Sequence, residues 1–148
     1  LNSDLLDVLA TDHAPHTEEE KNQPYTKAPS GGPLVQHALP ALLTAYNQGK
    51  ISLEKIVQKA CHNPAILFDV KDRGYLREGY FADLVVLNLD YEFEVVKEDL
   101  LYQCGWSPFE GILFKGAVER TLLNGQWVFT EGKVHPESAA MELTFDRE

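Results

Sequence analysis

The order of apolar and polar positions divides the chain near residue 70 into a part with helices and a part with strands. The first apolar run, LLDVLAT at residues 5–11, is short and nearly continuous, which is typical of a strand buried on both faces. A polar loop rich in proline and glycine follows, from residue 13 to residue 33. Loops of this length are uncommon inside compact domains and are usually functional.

Three helices are predicted after this loop. Apolar residues recur at helical spacing over residues 34–50, and Gly49 suits the end of that helix. Ser52 is the predicted cap of a second helix over residues 53–61. Asn63, followed by a proline, is the predicted cap of a third, very short helix.

The second half of the chain has the composition of strands. ADLVVLNLD at residues 82–90 is apolar and β-branched, and YEFEVV at residues 91–96 alternates. Residues 118–134 predict a hairpin, because two strand-like runs flank Asn124 and Gly125, the pair that a type I′ turn requires. We therefore expect a small all-β unit after residue 70.

Length and charge exclude several classes of protein. The chain has 148 residues, enough for one ordinary domain, and no apolar run approaches the roughly 20 residues of a membrane helix. Its net charge is −10 and its basic residues are scattered, so no nucleic-acid footprint is present. Cys61 and Cys104 form no C-x-x-C pair, which predicts reduced core thiols in a cytoplasmic protein. The chain does not begin with Met, and we expect it to be a piece of a longer protein.

The candidate chemistry lies in TDHAPH, where Asp12, His13 and His16 directly follow the first apolar run. Alone, this spacing fits a surface loop with an Asp cap and two exposed histidines equally well. Its place at the end of a predicted buried strand favours function, because catalytic residues gather at that end of barrel strands. A carboxylate there can bind a divalent metal or act as a general base, and an imidazole can bind a metal or an anionic group.

Several segments resemble the dihydroorotases of the amidohydrolase superfamily. TDHAPHTEEEK, APSGG and ALPALLTA are similar to the last barrel strand of that family and the loop and helix after it. HNPAILFDV, REGYFADLVVLNLD, SPFEG and LLNGQWVF continue the likeness over nearly the whole chain. Allantoinases and hydantoinases share the Asp-His pair but usually vary the residues after it, whereas the later segments identify only the superfamily.

The resemblance implies a role for individual residues. Asp12 would bind one metal and carry the proton in catalysis, and His16 would contact the carboxylate of the substrate. Pro33 and Leu34 would line the substrate site through their backbone. His13 has no role implied by the family, and we interpret it as a structural, hydrogen-bonded histidine. His37 is interpreted as a residue on a helix face and not as a ligand.

The fold implied by the resemblance is α/β. Residues 1–70 would be the C-terminal end of a TIM-type (β/α)8 barrel, with its last strand, active-site loop and helices. Residues 71–148 would be a portion of a β-sandwich. The implied cofactor is zinc, one or two divalent ions for each complete site, and most of its ligands would lie upstream of this chain.

The implied function is interconversion of N-carbamoyl-aspartate and dihydroorotate in pyrimidine biosynthesis. The expected partners are this small substrate, the remainder of the barrel and a second copy of the chain, with neither nucleic acid nor membrane among them. Two alternatives stay open. One is another cyclic amidohydrolase of the hydantoinase or allantoinase type, and the other is a non-catalytic homologue that serves in assembly.

Overall fold

A computed structural model describes residues 1–136 and 140–146 and contains both helices and strands. The elements in chain order are the helices α1 (Glu18–Lys21), α2 (Ala38–Asn47), α3 (Leu53–Val57) and α4 (Asn63–Leu67), then the strands β1 (Leu84–Glu94), β2 (Leu113–Leu123), β3 (Gln126–Thr130) and β4 (Lys133–Val134). A π-helical turn, Gln58–His62, joins α3 to α4, and a 3-10 turn, Lys97–Asp99, follows β1. None of the helices in this described part is long and apolar enough to span a membrane.

Helix α1 begins with a capping box. The Thr17 hydroxyl accepts a hydrogen bond from the Glu20 backbone N–H, and the Glu20 carboxylate accepts one from the Thr17 backbone N–H. Two of the donors that a helix start leaves unpaired are therefore satisfied by the segment's own side chains. This helix holds the start of the long loop, directly after His16, in a defined shape.

Helix α2 is shorter than the sequence pattern predicts. It ends as predicted, with Gly49 at φ 69° and the backbone N–H of Gly49 bonded to the carbonyl of Tyr46. It begins only at Ala38, because the amides of residues 34–36 bond to side chains elsewhere and not to a helical turn. The residues before α2 are thereby part of the candidate site.

Helices α3 and α4 form one continuous helical run through the π-helical turn. Ser52 caps α3 as predicted, since its hydroxyl accepts from the Lys55 N–H. The predicted third, very short helix corresponds to α4, but the prediction that Asn63 caps it is wrong, because Asn63 is already helical and the run continues from the π-helical turn. Pro64 cannot donate an N–H, and the turn before it is the one that widens.

The strands form one antiparallel sheet in the order β1-β2-β3-β4. The predicted hairpin is confirmed: Leu123 pairs with Gln126, and the turn residues Asn124 and Gly125 have φ of 52° and 78°. Positive φ at both positions is the mark of the type I′ turn. The two predicted strands over residues 82–96 merge into β1, with a register shift between Asn88 and Glu92.

Helix α2 packs against β2 at a very short distance, across the predicted boundary at residue 70. Leu43 is completely buried against Gly116, which has φ 98°. A Cβ atom on Gly116 would lie 2.6 Å from the Leu43 Cβ, so only glycine fits this position. The Thr44 hydroxyl accepts from the Lys115 N–H at 2.9 Å and fixes the same contact.

The prediction of a buried strand at residues 5–11 is wrong for this structure. Residues 5–11 belong to no strand, and Leu5 and Leu6 are 84% and 60% exposed. The backbone N–H of Leu9 donates to the Lys59 carbonyl, a helix-side partner and not a neighbouring strand. A strand needs a second strand to which its backbone can hydrogen-bond. In the described part of the chain, the nearest such pairing is the isolated bridge between His13 and Gly32, which lies just after residues 5–11.

Both cysteines are free thiols, as predicted. The prediction that they are core residues is wrong for Cys61, which is exposed near the end of the π-helical turn, while Cys104 is partly buried. Neighbouring atoms still desolvate the Cys61 sulfur enough to raise the pKa of its thiol.

Candidate functional site

The chain brings the two halves of the predicted site together at a short parallel contact. His13 bridges Gly32, and the Ala14 N–H donates to the Gly32 carbonyl at 3.1 Å. Gly31 permits this approach, since a Cβ there would lie 2.6 Å from the Ala14 Cβ. Residues that flank the contact, Asp12 on one side and Pro33 on the other, therefore belong to one neighbourhood.

Asp12 projects from a left-handed backbone position with φ 46°. Asp12 is exposed, and its carboxylate forms no hydrogen bond and no salt bridge with any side chain or backbone group of residues 1–136 and 140–146. Thr11 before it lines an apolar cleft of about 260 Å³, and His13 after it lines a second cleft of about 550 Å³. A carboxylate with no protein partner, on an uncommon backbone conformation between two clefts, is available to an external ligand.

His13 fastens the two segments to each other. Its Nδ1 atom accepts hydrogen bonds from the backbone N–H groups of Leu34 at 3.1 Å and of Val35 at 3.4 Å. The prediction of a hydrogen-bonded histidine is confirmed. Because Nδ1 accepts these bonds, the neutral ring carries its proton on Nε2. The two backbone N–H groups therefore select this tautomer.

His16 faces an acidic side chain of its own chain. Its Nδ1 lies 3.7 Å from the Glu20 carboxylate, and its carbonyl accepts from the Trp106 indole N–H at 2.7 Å. The Thr17 backbone N–H, and secondarily the Thr17 hydroxyl and His16, lower the pKa of Glu20. The Nδ1 atom of His16 thus lies near a carboxylate of its own chain, and the role of His16 toward a substrate stays a prediction.

Pro33 and Leu34 differ in exposure. Pro33 is fully buried, whereas Leu34 is partly exposed and lines the same apolar cleft as Thr11. The Leu34 N–H is engaged by His13, and the Leu34 carbonyl accepts the His37 N–H at 3.2 Å, so the second lone pair of that carbonyl and the side chain are the groups that remain for a ligand.

Spacing along the sequence gave no indication of a third segment in this neighbourhood. The Tyr102 hydroxyl accepts from the Gln36 N–H at 2.8 Å, and the Tyr102 ring centroid lies 5.3 Å from that of His13. The Gln36 side chain donates to the Asp99 carbonyl and accepts from the Leu101 N–H, both at 2.9 Å. The signal available in the sequence is the three aromatic residues of LYQCGWSPFE, which are Tyr102, Trp106 and Phe109.

His37 does not lie on a helix face, which corrects the sequence interpretation. It precedes α2 and is only 4% exposed, enclosed by the rings of Tyr102, Phe109 and Phe114. Its Nδ1 lies 3.3 Å from the Ser107 hydroxyl. Burial lowers the pKa of His37, because the charged ring would lose its hydration.

We expect this burial to make stability fall at acid pH. Since the pKa of His37 is lower in the folded than in the unfolded chain, the unfolded chain binds the extra proton more readily. The stabilisation is complete above the unfolded pKa of about 6.5 and is lost as pH falls through the folded value. Thermal unfolding at about pH 8 and about pH 5 should show a smaller decrease in Tm for His37→Gln than for the unsubstituted chain. Equal decreases would contradict this account.

The donors present do not complete a metal site. Within residues 1–136 and 140–146, no group of three or more His, Cys, Asp or Glu side chains is placed to hold an ion. Zinc sites need three or four protein ligands. Asp12 has the chemistry of one such ligand, and the described residues do not place two further ligands with it.

Comparison with known proteins identifies the family. The amidohydrolase family model matches residues 1–128. The dihydroorotase of Halobacterium salinarum is 44% identical over 106 residues, which cover 72% of this chain and 25% of that protein. The allantoinase of Desulfitobacterium hafniense is 35% identical over 135 residues, 90% of this chain and 30% of that protein.

The structural comparison agrees. The L-hydantoinase (dihydropyrimidinase) from Arthrobacter aurescens superimposes with a TM-score of 0.85 at 34% identity, covering 90% of this chain and 31% of that one. The chain therefore belongs to the amidohydrolase family and has the mixed helix and antiparallel-sheet structure of the matching part of its relatives. Among these relatives it is similar to dihydroorotases, and it spans between a quarter and a third of the length of the three proteins compared.

Proposed function

We propose that this chain is the C-terminal portion of a dihydroorotase, which interconverts N-carbamoyl-aspartate and dihydroorotate in pyrimidine biosynthesis. Residues 1–70 would complete the (β/α)8 barrel at its last strand, and residues 71–148 would be part of a β-sandwich. The observation that carries the proposal is the Asp12 carboxylate, which has no partner among the described side chains and lies on a strained turn beside a loop that His13 holds in place. Identity of 44% with a dihydroorotase supports the choice of substrate.

The proposed work of Asp12 is proton transfer. Hydrolysis of a cyclic amide joins a water oxygen to the carbonyl carbon and breaks the carbon–nitrogen bond, and the water proton must reach the departing ring nitrogen. A carboxylate beside the reacting atoms can take that proton and return it. Asp12 is a single carboxylate with no competing donor from the described residues, so its lone pairs are available for this role.

The proposed metal is zinc, one or two ions in the complete site. A divalent ion supplies Lewis-acid activation of water and of the amide carbonyl when it is bound. Among the residues that the structure describes, Asp12 would be the ligand, and the remaining ligands would come from other parts of the barrel. His16 would orient the substrate by pairing with the substrate carboxylate. That carboxylate would replace the Glu20 carboxylate beside the imidazole or lie next to it. Pro33 and Leu34 would border the substrate through their backbone.

The remaining parts of the proposal concern partners and location. The exposed apolar residues of the first segment, Leu5 and Leu6, would contact the remainder of the barrel. We also propose that the protein associates with a second copy of itself and that it is cytoplasmic.

A second candidate is hydrolysis of a hydantoin or of allantoin. Identity of 35% with an allantoinase and a TM-score of 0.85 with an L-hydantoinase favour it. The substrates differ in charge, because only dihydroorotate carries a carboxylate on the ring. His16 is therefore the group of this chain that distinguishes the two candidate functions. Its replacement should weaken the binding of a carboxylate-bearing substrate far more than the binding of an uncharged one.

The function is tested by assaying the full protein that contains this chain, loaded with zinc, on dihydroorotate, hydantoin and allantoin in parallel. We expect turnover of dihydroorotate to exceed the other two. We also expect the 148-residue chain alone not to bind two metal ions tightly and to turn over none of these substrates, because its described residues contain no group of three or more side chains that could hold an ion. Preference for an uncharged ring would favour the second candidate, and a full protein with neither metal nor turnover would favour a non-catalytic assembly role.

A further inference from the structure

The segment between β1 and β2 lies against the candidate site, although it is distant along the chain. The Trp106 indole N–H donates to the His16 carbonyl at 2.7 Å. The Lys97 ammonium lies 3.6 Å from the Glu18 carboxylate in α1. Together with the two bonds of the Gln36 side chain, these contacts fix the segment to both ends of the long loop.

Tyr102 is the member of this segment that contacts His13, Gln36 and His37, which are the neighbours of the predicted site residues. Its hydroxyl accepts the Gln36 N–H at 2.8 Å and lies 3.5 Å from the Nδ1 of His37. Its ring lies against the His13 ring, at a centroid distance of 5.3 Å and an interplanar angle of 35°. Partial burial raises the pKa of the Tyr102 phenol, which keeps the hydroxyl protonated and able to donate as well as accept.

The contact has a consequence for the neighbouring amides. Leu34 and Val35 direct their N–H groups to the His13 Nδ1, and Gln36 directs its own to the Tyr102 hydroxyl. Three successive amides are thus held by two rings that lie against each other. The chain turns at residues 34–37, where the His37 N–H donates to the Leu34 carbonyl at 3.2 Å, and these side-chain contacts hold that turn at the start of α2.

We propose that Tyr102 is a positioning residue for the candidate site: it holds His13 and the backbone of residues 34–36 together, next to the contact between His13 and Gly32 that directly follows Asp12. The proposal rests on the proposed function for its kinetic consequence, whereas its structural consequence does not depend on any activity. Tyr102 touches neither a metal ligand nor the reacting atoms in this account, and it acts through His13 and Gln36.

The structural test is amide hydrogen exchange in the full protein with Tyr102→Phe, which keeps the ring and removes the hydroxyl. We expect exchange at Gln36, and with it at Leu34 and Val35, to rise about fivefold, the factor that one typical net hydrogen bond is worth. The matched control is Tyr91→Phe, since Tyr91 is 55% exposed on β1 and contacts Phe93 through its ring alone. Exchange at residues 34–36 that is the same in both variants would overturn the proposal.

The kinetic test separates positioning from plain structural support. With dihydroorotate as substrate, Tyr102→Phe should raise KM about five- to tenfold and leave kcat within about twofold, because binding geometry and not proton transfer is disturbed. A KM equal to that of Tyr91→Phe, with exchange faster at residues 34–36, would show a structural hydrogen bond only and overturn the proposal. If the unsubstituted protein hydrolyses no cyclic amide, the proposed function fails, and the exchange result alone decides for or against Tyr102.

Discussion

Replacement of Asp12 with asparagine in the full protein is expected to lower kcat for dihydroorotate hydrolysis by about 10²- to 10⁴-fold, the usual contribution of a positioned general acid or base. Asparagine keeps the size and the hydrogen-bonding shape of the side chain but cannot take up the proton. It is also a far weaker ligand for a divalent ion. Steady-state kinetics at neutral pH, with the metal content measured on the same sample, is the test.

The matched control is Asp7→Asn. Asp7 is an exposed carboxylate on the same segment, and only its backbone carbonyl is engaged, by the Asn63 side chain. We expect Asp7→Asn to retain near-normal kcat. A near-normal rate in Asp12→Asn, with metal content unchanged, would remove Asp12 from the mechanism.

Replacement of Gly116 with alanine is expected to lower the free energy of unfolding by about 2–5 kcal/mol. Two costs add: a left-handed backbone at φ 98° disfavours a side chain by about 1–2 kcal/mol, and overpacking against the Leu43 Cβ costs about 1–3 kcal/mol. Denaturant unfolding of the variant measures the sum.

Gly111→Ala isolates the backbone cost. Gly111 has φ 76° and no atom within 4 Å of the position where a Cβ would stand. The difference between the two variants therefore reports the contact between α2 and β2. Equal destabilisation would show that Leu43 moves aside without cost and that this contact does not define the core.

Local signals in the sequence predicted local structure well. The Ser52 cap of α3, the glycine at the end of α2 and the Asn124-Gly125 turn all involve residues a few positions apart, and each forms as expected. Such features depend on the conformational preferences and side chains of neighbouring residues, and both can be read from the sequence.

Non-local structure could not be predicted in the same way. Residues 5–11 have the composition of a buried strand, but composition does not supply the ladder partner that a strand needs. Helix α2 begins late because the amides before it bond to His13 and Tyr102, and Tyr102 lies in another part of the chain. His37 was placed on a helix face because nothing in its own segment shows that the rings of the later loop enclose it.

The candidate site likewise contains residues that the sequence predicts and residues that it does not. TDHAPH identifies Asp12, His13 and His16, and the contact between His13 and Gly32 brings the Pro33 segment to them. Tyr102, Gln36 and Trp106 were missed because their spacing carries no catalytic pattern. Their contribution comes from the tertiary packing of a loop between strands, which only coordinates reveal.

The most direct test of the central claim is the position of the metal relative to Asp12. Diffraction from crystals of the zinc-loaded full protein, recorded at the zinc absorption edge, locates the ions without assumptions about their ligands. We predict an Asp12 carboxylate oxygen at about 2.0–2.2 Å from a zinc ion. Zinc bound elsewhere, with Asp12 outside its ligand shell in a protein that still hydrolyses dihydroorotate, would contradict the account.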